Sequence, residues 1–234
     1  MMKKLAIAIA TASTLGAASM AQAETFNTAA GEIDVSMTAT IATDYIWRGQ
    51  SQTAGKGAFQ SSLDIEHETG FYVGVWGSNV DFGDDDDSTV EIDYYIGYGD
   101  YITPDISYDV SWNSYTFPGE SSNNAKAILL ALDIHGIGFS MEYDYDDSYA
   151  VYYTLGYGFE LGGGFGLDLH IGYDDTKDGD EYRDYAISLT KEILGLDAAL
   201  MYSDTNISSS NCAAAYGKST YCSSNVTFSV AKSF

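Results

Sequence analysis

The sequence predicts an all-β chain folded as an antiparallel transmembrane β-barrel of about twelve strands, with short periplasmic turns and longer external loops. Three observations carry this. Apolar and polar residues alternate almost without pause from Asp34 onward, the two-residue period of a strand with one face in lipid and the other in water. The connections alternate between tight and long. The final segment places Val226, Phe228, Val230, Lys232 and Phe234 on one face and Thr227, Ser229, Ala231 and Ser233 on the other. It reads as a closing strand whose lipid-facing row ends on an interfacial aromatic. This ending resembles the C-terminal assembly signal of bacterial outer-membrane proteins, and the resemblance implies that Phe228, Val230 and Phe234 are read by the barrel-assembly machinery.

The first residues agree with export. Lys3 and Lys4 precede an apolar run from Leu5 to Gly16, and Ala21-Gln22-Ala23 is a small-residue cleavage site. Residues 1–23 thus read as a signal peptide, the run falling short of the ~20 residues a spanning helix needs. Residues 24–33 read as a polar periplasmic leader and 34–234 as the barrel. The chain carries 24 Gly, 20 Tyr and only 2 Pro, and a formal charge of −24. Removing the two leader lysines takes that charge to about −26. Such acidity excludes nucleic acid, which is held by basic patches, and attracts cations. An aromatic content of 14% argues against a disordered acidic chain.

The strands follow in order. The first is expected over 34–48, with Val35, Met37, Ala39, Ile41, Tyr45 and Trp47 facing lipid. The second (58–68) opposes Phe59, Leu63 and Ile65 to Gln60, Asp64 and Glu66. The third (71–80) opposes Phe71, Val73 and Val75 to Tyr72 and Trp76, and Gly77 is a candidate kink or bulge. The fourth (89–99) sets Ile92, Tyr94 and Ile96 against Glu91, Asp93 and Tyr95. The fifth (105–117) sets Tyr108, Val110 and Trp112 against Asp105, Asp109 and Asn113. The sixth (125–135), seventh (137–146) and eighth (149–161) carry outward rows centred on Leu130, Met141 and Leu155. The ninth (165–173) opposes Leu167, Leu169 and Ile171 to Asp168 and His170. The tenth and eleventh centre on Ile187 and Leu200, and the C-terminal strand is the twelfth.

Between them, 68–70, 100–104, Gly136, 162–164 and 192–195 are tight. The segments 49–57, 81–88, 118–124, 174–181 and 204–220 are longer, and only the link Asp147-Ser148 breaks the alternation. The lipid face carries Lys126, Arg183, Lys191 and Lys232, each within about three residues of a strand end, where a charge costs little. Cys212 and Cys222 share one loop and are expected to form a disulfide, as cysteines of an exported protein do. The lack of a nearby histidine argues against a metal there.

The run Thr43-Asp44-Tyr45-Ile46-Trp47-Arg48-Gly49-Gln50-Ser51-Gln52-Thr53 resembles the opening motif of the TorF-like family of porins. Two runs add to it: Glu68 through Asp81, and Glu91-Ile92-Asp93-Tyr94-Tyr95-Ile96-Gly97-Tyr98. The turn Tyr115-Thr116-Phe117-Pro118-Gly119 is similar as well. Thr43 stands where that family more often has Ser. The resemblance is strongest in the first half and implies an outer-membrane porin of a Gram-negative bacterium without a defined substrate.

The polar face is then the lumen. Its expected lining is Asp44, Arg48, Asp64, Glu66, Glu91, Asp93, Asp105, Asp109, Asp133, Glu142, Asp144, Asp168, Asp184 and Asp197. Rings of carboxylates with a water path favour cations, so the expected function is passive diffusion of small cationic or neutral solutes. The alternative is a lumen packed shut by Tyr72, Trp76, Tyr95, Tyr115 and Tyr152, leaving a structural or adhesive barrel. Arg48 either pins a constriction or pairs with Asp44. His170, Asp168 and Ser188 have the residue types of a nucleophilic triad. No nucleophile motif accompanies them, so no catalytic residue and no cofactor is expected. The acidic loops at 81–87 and 174–181 carry hard oxygen donors. They read as solvated loops, bridged through divalent cations to lipopolysaccharide, rather than as dedicated metal sites.

Overall fold

A computed structural model describes residues 23–83, 86–146, 150–175 and 181–234. All of the expected signal peptide except Ala23 falls outside them, as do Asp84, Asp85, the link at 147–148 and residues 176–180. The strands are β1 (Glu24–Thr28), β2 (Gly31–Ala42), β3 (Ile46–Trp47), β4 (Gln50–Ser51), β5 (Ala58–His67), β6 (Phe71–Asn79), β7 (Val90–Thr103) and β8 (Ile106–Thr116). They continue as β9 (Ala125–Ile134), β10 (Ile137–Asp144), β11 (Val151–Gly162), β12 (Phe165–Asp175), β13 (Tyr182–Ile193), β14 (Leu196–Thr205) and β15 (Asn225–Ser233). One helix, α1 (Ser209–Tyr216), lies in the last loop.

Twelve strands, β2 and β5 through β15, pair antiparallel in sequence order. The circle shuts because β2 bonds to β5 on one side, from Ile33↔His67 to Ala42↔Ala58, and to β15 on the other, from Ser229↔Ala42 to Ser233↔Thr38. Phe234 extends that seam: its amide donates to the Met37 carbonyl (2.9 Å) and its carbonyl accepts from the Met37 amide (3.2 Å). Closure leaves no unpaired edge, the condition for crossing a membrane with strands.

The outer face is an apolar belt. Ile41, Phe59, Phe71, Ile96, Leu130, Leu155, Ile187, Leu200 and Phe228 are all exposed. They meet in register, as in Ile41↔Phe59, Val73↔Ile96, Ile96↔Trp112 and Leu200↔Phe228. Keeping such a belt in water would cost roughly 25 cal/mol per Å²; in hydrocarbon it costs nothing. The basic residues sit at its margins as expected. Lys126 pairs with Asp146 (2.7 Å), and Lys232 donates to the Gly195 carbonyl (2.9 Å). Lys191 lies 3.9 Å and Arg183 5.6 Å from the ring centres of Phe165 and Tyr173. No helix among the described residues is long and apolar enough to cross a membrane.

Three expectations are corrected. The first strand stops at Ala42 instead of reaching Arg48, and residues 43–57 turn into the barrel. Tyr45 and Trp47, expected on the lipid face, therefore lie inside: Tyr45 is 3% exposed and both belong to one apolar cluster with Trp76. The cause is Asp44, whose carboxylate accepts from the Ser51 and Thr53 hydroxyls (both 2.7 Å) and the Asn225 amide (2.5 Å), drawing the chain off the wall. Second, the leader is not merely a polar lead-in: β1 folds back on β2 from Glu24↔Val35 to Thr28↔Gly31. Third, β6 runs through Gly77 without a register shift. The irregularities fall instead at the short-turn ends, between Tyr101 and Thr103 and between Glu160 and Gly162.

Candidate functional site: the lumen and its inner hairpin

The wall of the lumen is the second face of the same strands. Glu91, Asp93, Asp109, Glu142 and Asp184 are buried there, and Asp64, Glu66, Asp133, Asp144, Asp168 and Asp197 share that face half-buried. Asp105 is a correction. It sits in the two-residue turn after β7, exposed, so it cannot line the pore. Its only contribution in register is a backbone carbonyl that accepts the His135 amide (2.9 Å).

Tyrosines strap this wall across glycines. Tyr95 of β7 crosses Gly74 of β6 and donates to Asp64 of β5. Tyr72 of β6 crosses Gly97 of β7 and donates to both carboxylate oxygens of Asp109 on β8 (2.8 and 2.9 Å). Tyr152 of β11 crosses Gly172 of β12 and donates to Asp184 of β13 (2.9 Å). In each case a side chain on the glycine would occupy the space the ring now fills. Of the aromatics considered as a plug, Tyr72, Tyr95, Tyr115 and Tyr152 hold wall carboxylates through neutral donors, whereas Trp76 packs on Tyr45 in the inner cluster.

The segment that does enter the lumen is the first long loop. Its strands β3 and β4 pair as Ile46↔Ser51 and Trp47↔Gln50, leaving Arg48-Gly49 as a two-residue turn. Both turn residues have positive φ, 48° and 76°, the pattern of a type I′ hairpin that ordinarily selects Asn-Gly. The Arg48 guanidinium reaches the opposite wall and donates to Glu142 of β10 and Asp174 of β12, 2.8 Å each. It lies 4.1 Å from the ring centres of both Trp47 and Tyr152. Arg48 therefore pins its loop to the wall and does not pair with Asp44. Gln50 donates to the Tyr182 hydroxyl (2.8 Å).

Sequence reasoning missed Asp174, because it ended the ninth strand at Tyr173. The strand runs to Asp175, and Asp174 shares the parity of Asp168 and His170, the signal that would have found it. The disulfide is formed between Cys212 and Cys222. It holds the last loop over the hairpin, with Cys222 and Tyr221 buried beside it and Thr205 donating to the Cys222 carbonyl (3.1 Å). The second long loop joins them, since the Asp81 amide donates to the Gln52 carbonyl (2.8 Å) and Lys56 pairs with Asp81 (2.5 Å).

The triad residues do not come together. His170 Nε2 lies 2.8 Å from Asp184 and 3.2 Å from the Tyr152 hydroxyl. Ser188 faces Asp168 across the pair of strands, and its hydroxyl has no partner among the described residues. In the acidic loop, Asp86 accepts from Asn123 (2.6 Å) and from the Ser88 amide (2.7 Å). Among the described residues no group of three or more His, Cys, Asp or Glu side chains could hold a metal ion.

A closed twelve-stranded barrel with an apolar belt, a carboxylate-lined lumen and a loop folded into it has the architecture of porins. Residues 26–234 match one family model throughout, and the chain belongs to that family, Gcw_chp, described as bacterial proteins of unknown function. No curated protein matches. Among solved structures, the KdgM porin superposes with a TM-score of 0.56 at 7% identity, covering 85% of this chain and 98% of its own. The KdgM porin in complex with disordered oligogalacturonate gives 0.55 at 8% identity, with 85% and 98% covered. Acinetobacter baumannii Omp33 gives 0.45 at 9% identity, with 86% and 96% covered.

Proposed function

We propose that the protein is an outer-membrane porin that passes small solutes by diffusion and prefers cations. The observation that supports this most is the charge of the wall, where, among the described residues, Arg48 is the one lysine or arginine held among Glu142, Asp174, Asp184, Asp64 and their neighbours. Asp93, Asp168 and Asp174 each bury a carboxylate oxygen without a partner among the described residues, so these carboxylates are not fully balanced by protein groups and leave the wall a negative field. The resemblance of the inner-hairpin motif to TorF-like porins points the same way. Oligogalacturonate, the polyanion named with one KdgM structure, is the kind of solute this lumen repels, so a common fold here does not carry a common substrate. Outside the lumen, the reading places lipid against the belt and lipopolysaccharide beside the acidic loops. It also assigns insertion to the barrel-assembly machinery through Phe228, Val230 and Phe234.

A second reading has one observation in its favour: the hairpin, pinned by Arg48 and overlain by two other loops, obstructs the long-loop mouth. A barrel kept shut in this way would serve envelope integrity or adhesion. Reversal potentials of the purified protein in a planar bilayer under a KCl gradient decide between them. The expected result is a cation-selective conductance whose selectivity falls when Asp64→Asn, Glu66→Gln and Asp184→Asn are combined. Selectivity unmoved by those substitutions overturns the lumen assignment, and folded protein that never conducts establishes the shut barrel.

A further inference from the structure

The surroundings of Arg48 divide into a part that belongs to the loop and a part that belongs to the wall. The wall part is Tyr152, Glu142 and Asp174, on three consecutive strands. Tyr152 and Glu142 are held by bonds that do not involve the loop, whereas Asp174 is placed by its strand, β12. Tyr152 is fixed through its hydroxyl to Asp184 (2.9 Å), with His170 at 3.2 Å, and its ring rests over Gly172. Glu142 accepts from the Tyr115 hydroxyl (3.1 Å). What these groups present to the lumen is one aromatic face and two carboxylates in an arrangement that takes a planar, delocalised cation between them.

The present occupant fits incompletely. The Arg48 Nε and the second Asp174 oxygen are both buried and have no partner among the described residues. The arginine takes φ = 48° at a turn position that favours Asn or Gly, a strained backbone state for a side chain of its size. The base of the hairpin is anchored separately, by Asp44 to Ser51, Thr53 and Asn225. For the tip to leave the wall, the Arg48 ion pairs and the Gln50 bond to Tyr182 must open, while the base stays attached.

We propose that Tyr152, Glu142 and Asp174 form a guanidinium-recognition site of the channel wall, that Arg48 occupies it as a tethered stand-in for the solute, and that guanidinium-bearing solutes enter by exchanging with it. The proposal deepens the porin reading by naming the solute class, and it is tested by binding, which requires no conductance. A tethered competitor acts at an effective concentration in about the millimolar range or above, so wild-type protein binds a free guanidinium weakly.

The test is isothermal titration of the full chain, folded in detergent micelles, with N-ethylguanidinium and with ethylammonium as the cation of equal charge. Arg48→Ala is expected to bind N-ethylguanidinium about tenfold or more tightly than wild type, and ethylammonium clearly less well. Adding Glu142→Gln and Asp174→Asn abolishes the gain. Removing one partner from a buried ion pair destabilises strongly. Should Arg48→Ala therefore fail to fold, Arg48→Lys keeps a cation between the carboxylates, and its affinity for N-ethylguanidinium is expected between those of the other two. Folded Arg48→Ala or Arg48→Lys that binds the probe no better than wild type, or equally well after the wall carboxylates are neutralised, overturns the proposal. Binding without bilayer conductance would sink the porin reading and leave the site standing; conductance without binding would do the reverse.

Discussion

Gly97→Ala tests the tyrosine straps. A Cβ at Gly97 would enter the Tyr72 ring and hydroxyl and lie 2.8 Å from the Val110 carbonyl oxygen. The ring can yield only by leaving Asp109, so the substitution combines overpacking, about 1–3 kcal/mol, with loss of a hydrogen bond to a charged group, about 1.5–3 kcal/mol. The better strand propensity of alanine returns roughly 0.5–1 kcal/mol, so the net expectation is a destabilisation of about 2–5 kcal/mol. Gly138 is the internal control, since an added Cβ there meets nothing within 4 Å. Gly138→Ala should be neutral or stabilise by up to about 1 kcal/mol. Urea titration in lipid vesicles, read by heat-modifiable gel migration, measures both. In a Tyr72→Ala background the cost of Gly97→Ala should fall, because the two substitutions share the ring contact, and what remains is the approach to the Val110 carbonyl. Equal stability of Gly97→Ala and wild type, or an undiminished cost without Tyr72, would refute the strap.

Replacing Cys212 and Cys222 by serine opens a closed loop of sequence separation 10; the expected cost is about 2–3 kcal/mol, measurable as a lower unfolding midpoint without reductant and no change with it. Ile96→Arg puts a cation in the middle of the belt, where Ile96 is 52% exposed between Val73 and Trp112. It should cost about 2–4 kcal/mol in vesicles, whereas Lys191→Ala at the margin should cost less than about 1 kcal/mol. The Lys56 ammonium beside Asp81 holds that carboxyl below the usual carboxylate range. A depressed folded pKa stabilises above the unfolded value, about 3.9, and the gain is lost as pH falls through the folded one. The contact between the first two long loops should thus be indifferent to pH from about 5 to 8. Since Lys56 is 71% exposed, Asp81→Asn should cost under about 1 kcal/mol, read from protease sensitivity of the loops at both pH values.

The wall of this barrel could be read residue by residue because the strand period reports solvent on each side separately. Ile128, Leu130 and Ile134 alternate with Ala127, Leu129 and Ala131 whatever the rest of the chain does. The same alternation misled at Tyr45 and Trp47, where it continues into a segment that has left the wall. The hairpin is buried on both sides, yet apolar residues still recur at every second position into it, at Tyr45 and Trp47, so periodicity cannot tell it from a strand in lipid. Arg48-Gly49 was the discriminating signal: an arginine beside a glycine at the supposed membrane boundary marks a turn better than a strand end. Asp105 failed for the opposite reason. Its parity is correct, but parity loses meaning where Thr103 and Ile106 pair and the chain turns between them. Partners such as Asp174 lie on strands remote in sequence, and no local pattern specifies which carboxylate an arginine will reach.

The choice of donors explains how so acidic a lumen can exist at all. Asp44 is held by two hydroxyls and an amide, Asp64 by Tyr95 and Ser62, Asp109 by Tyr72, and Asp184 by Tyr152. Each donor replaces water around a buried carboxylate and so lowers its desolvation cost. None cancels its charge, as a lysine or arginine would. Balancing those carboxylates with cations would give an equally stable wall and a nearly neutral pore. Tyrosine over glycine gives the stability and leaves the field, which is why Tyr and Gly, more than the acidic residues themselves, mark the lumen of this protein. Arg48 is the exception in chemistry and in place: it is a charged partner of the wall, and it comes from a loop folded inside the barrel.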